Sequence, residues 1–89
     1  MQQTNQVLAL TTATRVDTTM LSRTSIAIQN NGPNAIYVRV GSPTGLAVGY
    51  GMKLNPLNVW SFPLKAGVPV YAICSVAQVA GAATDVTEL

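Results

Sequence analysis

This chain offers acid–base, nucleophilic or metal chemistry three carboxylates, five basic side chains, three tyrosines, one cysteine and Ser and Thr hydroxyls, but no histidine to activate any of them. General acid–base work needs a proton-transferring group held in a water-excluding pocket, and metal sites draw chiefly on His, Cys and carboxylates. Asp85 and Glu88 lie three residues apart, which on a strand sends them to opposite faces. Both therefore read as surface residues rather than as a carboxylate pair. Cys74 has no histidine to activate it and sits in an apolar run, where a small core residue is expected and not a nucleophile. As the only cysteine it cannot close an intrachain disulfide. Residues 41–45, GSPTG, have the flavour of a phosphate loop but lack the Gly-Lys-Ser/Thr that would hold a nucleotide. The expectation is no enzyme, no metal and no cofactor, with function carried by surfaces.

The basic residues Arg15, Arg23, Arg39, Lys53 and Lys65 are scattered singly along the chain against Asp17, Asp85 and Glu88, for a net charge of +2. Nucleic-acid binding normally shows clustered Lys and Arg with exposed aromatics, so no nucleic-acid partner is expected. Charged residues make up 9% of the 89 residues and apolar ones 48%, against about 25% charged in ordinary soluble domains. A domain of this size buries little core and here has no staple. Part of its surface is therefore expected to be covered by other subunits, as a homo-oligomer, trimer or dimer; the alternative is a monomer with a Thr, Ser, Asn and Gln surface. The start, MQQTNQ, lacks the basic segment and apolar run of a secretion signal. No charge lies between Lys65 and Asp85, but Gly67, Pro69, Ser75, Gln78 and Gly81 interrupt that stretch, so it reads as a strand and not as a membrane span.

These side chains must be positioned by strands. Ile26 and Ile28 alternate on one face of a first strand and Ile36, Val38 and Val40 on one face of a second, with Asn30, Asn31, Gly32, Pro33 and Asn34 between them. Period two with intervening turn residues predicts a β-hairpin over residues 24–40, with Gly32 supplying a positive φ if the turn needs one. Residues 7–10 are a short strand candidate, and the threonine-rich residues 11–22 a strand or extended loop in which Val16, Thr18 and Met20 alternate with Asp17 and Thr19. Residues 41–51 hold four of the seven glycines and read as a long loop. Asn55-Pro56 turns the chain, residues 59–64 form a strand whose Pro63 belongs on an edge, and residues 68–79 are the longest strand and a central one. Residues 84–89 close as a short strand with Val86 inward. The fold class is all-β: a small, mostly antiparallel β-sandwich, jelly-roll-like or a flattened barrel, of six to eight short strands. Its domains are a flexible or partner-bound N-terminal arm, residues 1–6, dispensable for folding, and a single sandwich, residues 7–89.

Trp60 and Phe62 share a strand face and read as core. Tyr37 and Arg39 fall on the polar face of the predicted hairpin and Tyr50 in the glycine-rich loop. With Met1, Gln2 and Gln3 of the arm, these are the candidate partner contacts.

Residues 23–40, RTSIAIQNNGPNAIYVRV, are followed by the glycine-rich loop, residues 51–54 (GMKL), residues 60–62 (WSF), residues 67–73 (GVPVYAI) and the terminal VTEL. Over roughly residues 15–89 this pattern resembles small virion accessory proteins of tailed bacteriophages, of the capsid decoration, cement or head-fibre base type. The resemblance implies a β-sandwich made in the host cytoplasm and carried on the virion. It would bind the major capsid protein or other virion proteins between shell subunits, stabilising the shell without catalysis and without contact with nucleic acid or membrane. The alternative it leaves open is a head- or tail-fibre module that binds a host receptor or glycan.

Overall fold

A computed structural model of the chain describes residues 3–17 and 22–89. These residues form eight strands and no helix: β1 (Gln3–Val7), β2 (Thr14–Arg15), β3 (Ser25–Asn30), β4 (Ile36–Val40), β5 (Met52–Leu54), β6 (Val59–Pro63), β7 (Val70–Cys74) and β8 (Thr84–Glu88). They make two four-stranded antiparallel sheets, sheet I in the order β1-β8-β3-β6 and sheet II in the order β2-β7-β4-β5. The chain is an antiparallel β-sandwich.

The pairing explains the topology. β1 faces β8, β2 faces β7, β3 faces β6 and β4 faces β5, so the chain is one long two-stranded ribbon folded on itself, with residues 41–51 as its tip. Rolling the ribbon adds the β3–β8 and β4–β7 ladders, and every connection except β4 to β5 then crosses between the sheets. Eight strands wound in this way are a jelly roll.

The roll corrects the predicted hairpin. β3 and β4 are strands, but they lie in different sheets, and residues 31–35 arch between them instead of closing a two-strand ladder. Both carry a full apolar face, and an arch lets both faces meet across one core, as strict alternation of buried and half-buried positions in β3 shows. Two strand boundaries also move. The N-terminal arm is, from Gln3, the edge strand β1 paired along its length with β8. An edge strand held by backbone bonds needs few apolar side chains, so the polar TNQ sequence can pair while Leu8 and Leu10 lie partly exposed beyond it. Removing residues 1–6 would therefore strip most of a strand. β7 ends at Cys74, and beyond it Val76 is exposed and Gln78 buried. Thr18 and Met20, like Met1 and Gln2, lie outside the described residues.

Ile26, Ile28 and Val86 of sheet I meet Ile36, Val38, Leu54, Val70, Ala72 and Cys74 of sheet II, and half-buried Trp60 and Phe62 pack against this cluster. Their rings lie 4.2 Å apart at 33°. Above this core, at the end of the roll formed by residues 8–13, 31–35, 55–58 and 75–83, sits a buried polar knot. Asn30 Nδ2 donates to the Asn34 and Leu54 carbonyls at 2.8 and 3.0 Å. Its Oδ1 accepts from the Gly32 amide at 2.9 Å and from Gln78 Nε2 at 3.0 Å. Gln78 Oε1 in turn accepts from the Ala9 amide and the Thr84 hydroxyl, both at 2.9 Å.

This knot, and not a positive φ, is what requires a glycine at 32, which is absent from the left-handed residues of the chain. A Cβ there would stand 2.8 Å from Gln78 Nε2 and 3.0 Å from the Ala82 carbonyl oxygen. Overpacking of this kind costs about 1–3 kcal/mol. Gly32→Ala and Gly32→Asn should both lower the melting temperature by several degrees. If asparagine, which tolerates left-handed backbone, restored the parent value while alanine did not, the steric account would be wrong.

Candidate interaction surface

The outer face of sheet II is built by register. Ile36 and Val38 point inward, so Tyr37 and Arg39 point out, and the ladders set Lys53 beside Tyr37, Tyr71 beside Arg39, and Arg15 on the far side of Tyr71. Ile73, opposite Tyr37, is covered by its neighbours. Three of the five basic residues thus share one face with two half-buried tyrosines, although they lie far apart in sequence. Of the other two, Lys65 is exposed in the β6–β7 connection and Arg23 is buried. The outer face of sheet I is different: Ser25, Ala27, Gln29, Val59, Ser61 and Thr87 surround a single charge, Asp85, which accepts from Asn31 Nδ2 at 2.8 Å.

Arg15 is anchored. Its guanidinium makes a two-pronged pair with Asp17, at 2.8 and 2.9 Å, and the carboxylate partner raises its pKa. Asp17 also accepts from the Val70 amide at 3.0 Å. Burial pushes the Asp17 carboxyl up, but the hydrogen bonds from Arg15 and Val70 outweigh it and hold the group below its usual value. Behind Asp17 lies Arg23, whose guanidinium gives Nη1 to Glu88 at 2.8 Å and approaches Asp17 at 3.6 Å. Its Nε and Nη2 donate to the carbonyls of Leu64, Lys65 and Val68 at 2.6–3.1 Å.

Glu88 therefore corrects the surface reading: its side chain is fully buried. Strand period two places Thr84, Val86 and Glu88 on the same inward face, and the cation that makes this tolerable is 65 residues away in sequence. The two carboxylates engage one guanidinium in a site without solvent access, an arrangement that ties β8, the β6–β7 connection and the segment after β2 together.

A pH dependence follows. A carboxylate whose folded pKa lies below its unfolded value of about 3.9 stabilises the fold above that value, and the contribution is lost as pH falls through the folded pKa. The melting temperature should hold from neutral pH to roughly pH 5 and fall steeply below pH 4. Asp17→Asn should melt lower at pH 7 and lose part of the acid slope. An Asp17→Asn slope equal to that of the parent would remove Asp17 from this role.

Of the six contacts predicted from sequence, Tyr37 and Arg39 share the sheet II face. Tyr50 lies apart on the ribbon tip, 70% exposed, in a tight turn closed by its amide on the Ala47 carbonyl at 2.9 Å. Gln3 begins β1 in the other sheet, and Met1 and Gln2 lie outside the described residues. No protein family, curated protein or solved structure matches the chain. Sequence reasoning missed Arg15, Lys53 and Tyr71, whose only signal is the cross-strand register that sets them beside Arg39 and Tyr37. Among the described residues, no group of His, Cys, Asp and Glu could hold a metal ion.

Proposed function

We propose that this chain is a structural binding protein that attaches to a larger protein assembly through the outer face of sheet II. The observation that carries the reading is the convergence of Arg15, Arg39 and Lys53 with Tyr37 and Tyr71 on one rigid sheet. Tyrosine and arginine are the residues enriched in protein interfaces, where they supply large contact area and charge-assisted hydrogen bonds. Nucleic acid is a poorer fit. Arg15 is already neutralised by Asp17, and two remaining cations compare weakly with the roughly 6–10 phosphate contacts of a typical binder.

On the resemblance to phage accessory proteins, the assembly we propose is a capsid, decorated between its subunits. Jelly rolls serve in viral capsid and lectin domains alike, so the fold accommodates this role without selecting it. The mechanism is bridging. A rigid sandwich seated where shell subunits meet adds contacts that must break before the shell opens, and binding to the assembled state shifts the equilibrium toward it. A second reading, a fibre module for a receptor or glycan, has one observation in its favour, the exposed Tyr50 on the tip loop.

Gradient-purified particles of the encoding phage should contain the chain by mass spectrometry. Particles lacking it should assemble but fail earlier on heating, and Arg39→Glu should weaken re-attachment without unfolding the sandwich. Particles that lack it yet are as heat-stable as complete ones, and no longer adsorb to cells, would replace the capsid reading with the fibre one.

A further inference from the structure

Leu57 is out of place on two counts. It lies in the turn of residues 55–58, where the Asn58 amide bonds the Asn55 carbonyl at 3.0 Å, Pro56 holds the second position, and Leu57 at the third has φ 68°. That is the pattern of a type II turn, whose third position calls for glycine or asparagine. A leucine with left-handed backbone is strained. The same side chain is 70% exposed, so its own fold gains little from burying it. Its amide is tied to the Asn30 carbonyl at 2.6 Å, which fixes the turn to the buried knot and projects the leucine from a rigid base.

The surrounding end of the roll, residues 8–13, 31–35, 55–58 and 75–83, contains no charged residue. Leu8, Leu10, Val76 and Val79 are exposed there with Leu57. Beside them a depression of about 180 Å³ is walled by Pro33, Asn34, Cys74, Val76, Ala77 and Val79. Apolar cavities of about 150 Å³ take a benzene ring, so an isobutyl group fits this one.

We propose that this uncharged end pairs with a second copy of the chain across a two-fold axis, each Leu57 entering the depression of the other. Knob and depression lie on the same end, as an isologous contact requires. Charge selects this end for self-association. Two sheet II faces would set a basic surface carrying Arg15, Arg39 and Lys53 against an identical basic surface, whereas two uncharged ends meet without like-charge repulsion. A polyanion or an anionic membrane finds no cation on this end to hold it. The pairing needs no capsid, so it stands or falls independently of the virion reading.

The test is sedimentation velocity of the full chain from micromolar to millimolar concentration, with melting curves taken where the chain is monomeric. The parent should show a concentration-dependent dimer. Leu57→Gly should weaken it by roughly tenfold or more and at the same time raise the melting temperature of the monomer by a few degrees, because the strain is relieved. Ala77→Leu, filling the depression, should also weaken the dimer, and Arg39→Glu should not. A chain that stays monomeric at millimolar concentration overturns the proposal. So does a dimer or trimer unmoved by Leu57→Gly, or a Leu57→Gly monomer that melts lower than the parent, which would give Leu57 a role within its own fold.

Discussion

Arg23→Leu is expected to remove about 3–5 kcal/mol of stability, the usual consequence of deleting one partner of a buried ion pair, from a domain whose total is about 5–15 kcal/mol. The change takes the guanidinium away from the fully buried Glu88 carboxylate and leaves Asp17 with Arg15 as its paired cation. It also orphans the carbonyls of Leu64, Lys65 and Val68, which now receive the guanidinium's remaining donors. Lysine should rescue poorly, since one ammonium cannot reproduce a planar fork that reaches a carboxylate and three carbonyls. Arg23→Leu combined with Glu88→Leu should recover part of the loss, because apolar replacements of a buried pair are often neutral. Urea titration of the three variants measures this. An Arg23→Leu midpoint close to that of the parent would mean that water already reaches the site.

Period two made much of the fold legible. Ile26, Ile28, Ile36, Val38 and Val86 are inward as their spacing requires, Cys74 is core, and Pro63 ends an edge strand. What the alternation cannot carry is which strands face each other. A strand with one apolar face satisfies a hairpin and an arch equally well, and the turn residues at 31–34 serve either. The choice was made by partners 30–62 residues away in the sequence, the β6 and β8 strands that flank β3. The same blindness hid the interaction surface, since Arg15, Arg39, Lys53, Tyr37 and Tyr71 become neighbours only once the ladders are in register. Glu88 and Asn30 show a second limit: their inward positions could be read from period two, but the groups that satisfy them could not, so a polar side chain at a core position looked like surface or turn.

Asn30 is where that limit has its largest consequence after Arg23. Asn30→Ala removes two donors and one doubly used acceptor at once, leaving the Asn34 and Leu54 carbonyls, the Gly32 amide and Gln78 Nε2 without the partner that satisfies them now. Each unsatisfied buried group costs about 1–3 kcal/mol. Water entering the vacated volume repairs some of them, so the expected loss is about 3 kcal/mol or more in total. Asn30→Asp should be no better, because it keeps the acceptors, loses both donors and buries a charge. Because Gln78 shares the network, Asn30→Ala and Gln78→Ala should be strongly non-additive, with a coupling of roughly 1–3 kcal/mol in a double-mutant cycle. The damage should also be local before it is global. The Ala9 and Gly32 amides, which bond directly to the two side chains, should exchange hydrogen much faster, while amides in the β4–β7 ladder keep their protection relative to the reduced global stability. If the two substitutions simply added, or the Ala9 amide stayed protected in Asn30→Ala, the knot would be a set of independent hydrogen bonds and the arch between β3 and β4 would be held by its apolar contacts alone.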